Sequence, residues 1–297
     1  MGLNIVMLFS VFIVLVIMYF AMRFSITNEA TFLFGARVND KMRHSDEYKE
    51  FVDKVKKDFH RNMNWIAILA IFISLCPLLI SSISIRTFIW TLWIFGIIVI
   101  MSIPQANAFK KVVKWKADNG YIDDNDDDKY WKWGVIYNNP NDKHTMVEKR
   151  IGIGTTVNVA SIGGKVTNWI IVIVIVGTFL MLGWIVLDEF LPIHLVVDEQ
   201  TVMAKQIGVE YKVEIEDIDE ISLLNDIPRM SRSSGTDMEK LCKGNFYVPE
   251  EHHGCKVLFN PQNKLLIRIK SGKDIYFFGG YDDEETMSIY NELKDEK

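Results

Sequence analysis

Four long apolar runs dominate the hydrophobic pattern of this chain. None of them contains Asp, Glu, Lys or Arg, and each is close to the ~20 residues that an α-helix needs to cross the hydrocarbon core of a bilayer. We therefore predict an integral membrane protein with four transmembrane helices. The predicted spans cover residues 3–22, 64–83, 87–103 and 168–187.

Beyond residue 190 the apolar period changes to two, which is typical of β-strands. A terminal helix is predicted from Asp282, where Glu285 completes a capping pattern. Eight short strands precede it: 193–197, 202–207, 211–215, 218–224, 245–248, 256–259, 265–270 and 275–278. The apolar residues that the helix is predicted to bury are Met287, Ile289, Tyr290 and Leu293.

The pattern therefore predicts two regions of different class. Residues 1–190 form a transmembrane region of four α-helices, with long loops at 23–63 and 104–167, and residues 191–297 form a mostly-β domain that ends in a helix. In the first loop, Ser45–Asn62 has the apolar spacing of an amphipathic helix. Such a helix would lie along the membrane surface or pack on its own loops, and both alternatives remain open.

Basic residues are concentrated in the two long loops. Residues 23–63 carry nine Lys and Arg and residues 104–167 carry ten, whereas Arg86 is the only one between the second and third spans. Because basic residues are retained on the cytoplasmic side, both long loops are predicted to be cytoplasmic. The N-terminus and the C-terminal domain of this multi-pass cell-membrane protein are then predicted to be extracytoplasmic.

Acidic residues are concentrated at Asp123–Asp128, a run broken only by Asn125. Hard cations such as Ca²⁺ take carboxylate oxygens, but the glycine and glutamate positions of an EF-hand loop do not fit either frame here. We therefore interpret the run as a solvated linker. Asp188 and Glu189, at the end of the fourth span, are likewise predicted to be solvated by water.

The most distinctive segment is residues 128–160, which combines aromatic residues, an Asn-Pro turn and a Lys-Arg pair. Aromatic side chains with a polar end suit the headgroup layer, and basic side chains can pair with lipid phosphate. We predict an interaction element at the membrane surface. Its candidate residues are Tyr130, Trp131, Trp133, Asn139, Pro140, Lys149 and Arg150.

This segment resembles the signature of an uncharacterised family of bacterial multi-span membrane proteins. The matching elements are YW-x-x-G-x-x-Y-x-N-P, then KR-x-G-x-G, with a similar upstream loop at residues 33–38. The resemblance spans roughly residues 1–190 and implies a bacterial origin and a multi-span architecture. Relatives of this broad group include peptide-toxin immunity proteins, but the His-Trp-Asn element of one such branch is absent.

The C-terminal region resembles a bacterial pleckstrin-homology-like domain. The order of strands followed by one helix carries this resemblance, together with the turn at Ile227 and Pro228 and the aromatic strand Tyr276–Phe278. Residues 198–297 carry 21 Asp and Glu against 13 Lys and Arg, a net charge of −8. Anionic headgroups would repel this charge, which favours a protein or peptide partner.

Cys242 and Cys255 leave three alternatives: a disulfide, two free thiols, or a zinc site with His252 or His253. The sequence contains no recognisable hydrolytic or nucleotide-binding motif, so no catalytic residue, cofactor or metal is predicted.

The sequence thus predicts a non-enzymatic binding, sensing or scaffold protein. Its expected partners are membrane lipids and a protein or peptide, without nucleic acid. The alternative function is peptide-toxin resistance (immunity) or a transport-like activity of the spans.

Overall fold

The computed structural model describes residues 2–24 and 31–296. The chain divides into two compact units, and the division falls within the last of the long apolar helices. The first unit comprises Met1–Ser81 and Ile85–Phe179, and the second comprises Ser82–Ser84 and Leu180–Lys297.

Four helices are long and apolar enough to cross a membrane, which confirms the predicted architecture. Three of them contain a whole predicted span. The second predicted span, 64–83, is α-helical only as far as Leu75 and continues through a 3₁₀ turn at Cys76–Leu79 that begins the connection to the next long helix. A short helix, α2, lies between the first two long ones. The helices are α1 (Gly2–Phe24), α2 (Asp40–Arg43), α3 (Asp46–Leu75), α4 (Ile83–Asp118) and α5 (Ile162–Phe190).

The amphipathic stretch Ser45–Asn62 is the first half of α3. Ser45 caps this helix by accepting a hydrogen bond from the Tyr48 amide, and the helix then continues without a break into the second predicted span. Val52, Val55 and Phe59 are buried in the core of the first unit. The alternative in which this helix lies along the membrane surface is therefore wrong, because its apolar face is covered by protein.

The loops of the first unit contain three small β-hairpins. Each consists of two antiparallel strands of two or three residues. Phe34, Trp131 and Tyr137 from these hairpins join side chains of α3 and α4 in one hydrophobic core. The strands are β1 (Phe32–Leu33), β2 (Ala36–Arg37), β3 (Trp131–Lys132), β4 (Ile136–Tyr137), β5 (Met146–Glu148) and β6 (Thr155–Val157).

The second unit is mostly β and ends in a helix, as the sequence predicts. Its first three strands are β7 (His194–Asp198), β8 (Thr201–Gln206) and β9 (Val209–Glu214). The next six are β10 (Glu220–Leu224), β11 (Ser231–Asp237), β12 (Cys242–Val248), β13 (His253–Phe259), β14 (Leu266–Ser271) and β15 (Asp274–Phe278). The terminal helix is α6 (Asp283–Glu296).

The nine strands form two sheets. The three-stranded sheet has the order β7-β8-β9, and the six-stranded sheet has the order β10-β14-β15-β13-β12-β11. The six-stranded sheet is mixed, because β13 and β15 pair in parallel while its other pairs are antiparallel. Apolar side chains fill a core on each of its faces, one of which also contains Ile289 and Leu293 of α6.

All eight predicted strands are present with shifted ends, and one further strand, β11, was missed. Its sequence, SRSSGTD, is polar and almost wholly exposed, so it has no apolar period to detect. Asp282 caps α6 by accepting a hydrogen bond from the Glu285 amide at 2.8 Å, as predicted. The predicted burial of Met287 is wrong, because this side chain lies on the solvent side of α6.

Cys242 and Cys255 are free and buried, so the disulfide is wrong. In the β12–β13 register Cys242 faces Phe259 and Cys255 faces Phe246. That offset of four residues separates the two cysteines by roughly 13 Å along the strands, whereas bridged Cα atoms lie about 4–7 Å apart. Burial raises the pKa of Cys242 to about 12 and that of Cys255 to about 11, so both thiols are protonated at neutral pH.

Replacing Leu293 by Ala should destabilise the β domain by roughly 2–5 kcal/mol, because this side chain is only 1 % exposed and its truncation leaves a cavity in the core. Met287→Ala on the same helix is the matched control and should change the stability by less than ~0.5 kcal/mol. Pulse proteolysis of the full chain in urea gives both values. An equal effect of the two substitutions would mean that α6 does not dock through Leu293.

Candidate functional site

A buried ionic cluster lies in the loop region of the first unit, at the end of α4. Lys116, near the end of α4, is 2 % exposed, and its Nζ lies 2.5 Å from a carboxylate oxygen of Asp126 and 2.6 Å from one of Asp128. The loop after α4 turns back so that Asp126 lies against this helix. Within the loop, the Asp126 carboxylate accepts a hydrogen bond from the Asp128 amide. The acidic run is thus tied to α4 through two carboxylates.

Arg150 completes this cluster from the loop between β5 and β6. Its Nη1 lies 2.5 Å from Asp128 and 2.8 Å from the carbonyl oxygen of Gly35, and its Nη2 bonds Asp127. The side chain of Arg150 is 3 % exposed. The Asp128 carboxylate therefore bridges Lys116 and Arg150, with one oxygen facing each cation.

Aromatic rings and a second arginine surround Arg150. Its guanidinium carbon lies 4.7 Å from the centre of the Trp131 ring and 5.0 Å from that of Phe32, a geometry in which the ring faces attract the cation. Arg37 bonds Asp127 at 3.0 Å. The rings shield the charges from water, which strengthens their attraction.

The carboxylate of Asp127 titrates below its ordinary range. Burial alone would raise its pKa, but the positive charges of Arg150 and then Arg37 outweigh burial and lower the pKa. The folded pKa lies below the unfolded one, so this carboxylate stabilises the fold above the unfolded pKa. That contribution is lost as the pH falls through the folded pKa.

Two glycines let the hairpins that carry this cluster approach closely. Gly35 and Gly134 both adopt positive φ, at 82° and 74°. A Cβ on Gly35 would lie 2.6 Å from the Gly134 carbonyl oxygen, closer than any side chain tolerates. The carbonyl preceding Gly35, that of Phe34, accepts a hydrogen bond of 2.8 Å from Gln105 of α4. The β1–β2 and β3–β4 turns are thereby fixed to α4.

Asn158 organises the remaining part of the loop. Its side chain is fully buried and satisfies both of its polar atoms. Nδ2 donates to the carbonyls of Asn139 and Asp142 at 2.9 Å, and Oδ1 accepts from the amides of Asn139 and Ala160. Asn158 therefore holds the Asn-Pro turn against the segment that leads into α5.

The structure places the predicted interaction residues in two groups. Trp131 and Arg150 are buried in the cluster, and Asn139 is held by Asn158, so these three support the fold. Trp133 and Lys149 are exposed, as is Pro140, and Tyr130 is half-buried. A role in binding stays a prediction, and only the exposed members present a surface for it.

The solvated-linker interpretation of the acidic run is wrong for its second half. Asp128 is 5 % exposed, and Asp126 and Asp127 also pair with cations. No sequence signal singled out Asn158, and Lys116 and Arg37 were counted only among the basic residues of the two long loops. The three consecutive carboxylates are neutralised by cationic side chains that lie far away in the sequence. Neither residue spacing nor apolar period reveals such a pairing.

Buried charges also occur in the second unit, where Asp188 and Glu189 are not solvated as predicted. Lys243 Nζ lies 2.8 Å from Asp188 and 2.9 Å from the Gln206 side-chain oxygen. Glu189 accepts hydrogen bonds from the Ser84 hydroxyl and the Lys240 amide. These pairs fix the C-terminal end of α5 to β12 and the turn that precedes it, and to the first turn of α4.

Nothing in the described ranges 2–24 and 31–296 groups three or more His, Cys, Asp or Glu side chains in a geometry that holds a metal ion. The chemistry available in the ionic cluster is charge pairing, and its carboxylates are already occupied by Lys and Arg nitrogens.

Comparison with known families gives one match within this region. Residues 140–165 match the model of a family of unknown function, DUF5808. No curated protein and no solved structure matches the chain. The matched stretch contains Arg150 and Asn158, which are the two buried polar residues that hold the loop together. The match therefore covers two of the residues that hold the loop region of the first unit together.

Substituting Arg150 by Ala should destabilise the loop region by about 3–5 kcal/mol, because it leaves Asp128 and Asp127 without a buried cation. Lys149→Ala removes the exposed charge next to it and should cost less than ~0.5 kcal/mol. Arg150→Lys should fall between them, since it keeps the charge and loses the forked geometry. Native-state proteolysis of the full chain, followed at cleavage sites within residues 31–160, reports the free energy of local unfolding. Equal values for Arg150→Ala and Lys149→Ala would show that the cluster does not hold the loops.

Proposed function

We propose that this protein is a non-enzymatic binding module of the bacterial cell membrane. In this proposal the β domain is pleckstrin-homology-like, lies outside the cytoplasm and captures an extended segment of a protein or peptide. The transmembrane helices anchor that domain in the membrane. The exposed edge strand β11 is the observation that carries the proposal.

Strand β11 ends the six-stranded sheet and has a strand neighbour, β12, on one side only. Its residues are exposed along almost the whole length. The unpaired edge of a sheet is a template on which another extended chain can form backbone hydrogen bonds. A register shift between Arg232 and Ser234 bends this edge, which limits pairing with further copies of the same strand.

The charge of this edge differs from that of its domain. Arg229 and Arg232 are exposed, and within residues 31–296 neither forms an ion pair. No acidic residue occurs from Arg229 to Thr236, although residues 198–297 carry a net charge of −8. A partner segment with acidic side chains would complement both arginines, while the rest of the domain would repel it.

A membrane-impermeant, photoreactive thiol reagent on intact cells tests this function and the orientation together. One cysteine at a time is introduced in place of Ser233 in β11, Lys273 in the β14–β15 turn or Asn125 in the acidic run. The background is Cys76→Ala, in which the remaining Cys242 and Cys255 are buried and not accessible to the reagent. We expect the reagent to label positions 233 and 273 but not 125, because the β domain is extracytoplasmic. Illumination should then give a discrete protein adduct from position 233 alone.

The control for the binding edge is a charge reversal. Arg232→Glu should abolish the adduct at position 233, and Lys273→Glu should leave it unchanged, since only the first lies on β11. Labelling of position 125 but not of position 273 would show that the orientation is the opposite of the proposed one. Labelling at position 233 without a discrete adduct would contradict the binding function.

A further inference from the structure

Two turns of the first unit expose large apolar side chains next to a lysine. Ile153, in the turn between β5 and β6, is 98 % exposed, and Trp133, in the turn between β3 and β4, is 46 % exposed. Lys132 and Lys149, which accompany these turns, are also exposed. Water gives no stabilisation to an exposed Ile or Trp, so a surface that covers them would gain apolar burial.

Both turns are held in place from behind. Arg150 fixes the β5–β6 turn through its bonds to Asp128 and Gly35, and the Lys149 amide donates to the Gly154 carbonyl at 2.9 Å. Gly134 fixes the β3–β4 turn by its close approach to Gly35. The exposed side chains therefore project from a fixed frame, which reduces the entropy lost when a partner surface covers them.

The contacts with α4 give the level of these turns relative to the membrane. The apolar run of α4 ends at Ile103, and Gln105 bonds the carbonyl of Phe34, next to Gly35. Gly134 lies against Phe109, about 9 Å beyond Ile103 at 1.5 Å per residue. The headgroup layer is roughly 5–8 Å thick on each side of the hydrocarbon. The Gln105–Phe34 contact, two residues or about 3 Å beyond Ile103, falls within this layer, and Gly134 lies just beyond it. Trp133 and Ile153 are carried by turns that are joined to Gly35.

We propose that these two turns form a lipid-docking surface: Trp133 and Ile153 insert into the headgroup layer of the bilayer that α4 crosses, and Lys132 and Lys149 pair with lipid phosphate. A tryptophan suits this layer because it has an apolar body and a polar N–H. The surface is continuous with the membrane that surrounds the spans, so it needs no further protein partner. Docking would hold the loop region of the first unit at a fixed angle on the membrane.

Depth-dependent fluorescence quenching tests this surface in the full chain reconstituted into vesicles of phosphatidylcholine and phosphatidylglycerol. An environment-sensitive dye is attached at Ile153→Cys in a Cys76→Ala background, and the lipids carry nitroxide quenchers near the headgroup. The matched control is Ile122→Cys, at an isoleucine that is 60 % exposed. Ile122 follows the end of α4 at Asp118, more than ~20 Å beyond Ile103 at the helical rise.

We expect the dye at position 153 to be blue-shifted and strongly quenched, and the dye at position 122 to be neither. Both positions are exposed, so neither label disturbs the core. Position 133 provides a second probe on the other turn and should behave like position 153. Equal emission and quenching at positions 153 and 122 would overturn the proposal, as would quenching at 133 without quenching at 153.

Discussion

The carboxylate of Asp128 is shared between Lys116 and Arg150 in a site that water hardly enters, and the loop region of the first unit depends on this arrangement. A buried charge without a partner costs several kcal/mol, so removing any one of Lys116, Asp128 and Arg150 would leave the remaining buried charges unpaired. Lys116 belongs to α4, Asp128 follows the acidic run, and Arg150 precedes the turn between β5 and β6. Pairing them closes the long loop at residues 104–167. The bonds of Arg150 to the Gly35 carbonyl and of Arg37 to Asp127 join the 23–63 loop to it, and the Trp131 ring covers the cluster from one side.

This internal role separates the distinctive segment into a supporting part and a presenting part. Trp131, Arg150 and Asn158 face inward and hold the backbone, whereas Trp133 and Ile153 face outward from turns that the same residues fix. A sequence signature alone mixes the two kinds of residue. The β domain is organised differently, since its exposed polar edge at β11 carries the proposed partner site and its buried strands carry stability.

The transmembrane helices and most of the strands could be predicted because each follows from a local period of apolar residues. The terminal helix was predictable down to its cap at Asp282. Strand β11 escaped because an exposed edge strand imposes no pattern on its side chains. The ionic cluster escaped because Lys116 pairs with carboxylates that precede Arg150 by more than twenty positions, and such pairing depends on the tertiary fold. A run of aspartates looks the same in a solvated linker and in a buried network.

Hydrogen exchange of the native protein in bilayers tests most directly whether the ionic cluster holds the loops. The informative amides are those of Arg37, which donates to Asp128, and of Asn158 and Val159, which donate to the carbonyls of Thr145 and Tyr137. If the cluster fixes the loops, these amides should exchange as slowly as those in the extramembrane turns of α4, and far more slowly than the exposed Asp124 amide. Exchange of Arg37, Asn158 and Val159 at the rate of Asp124 would contradict the account.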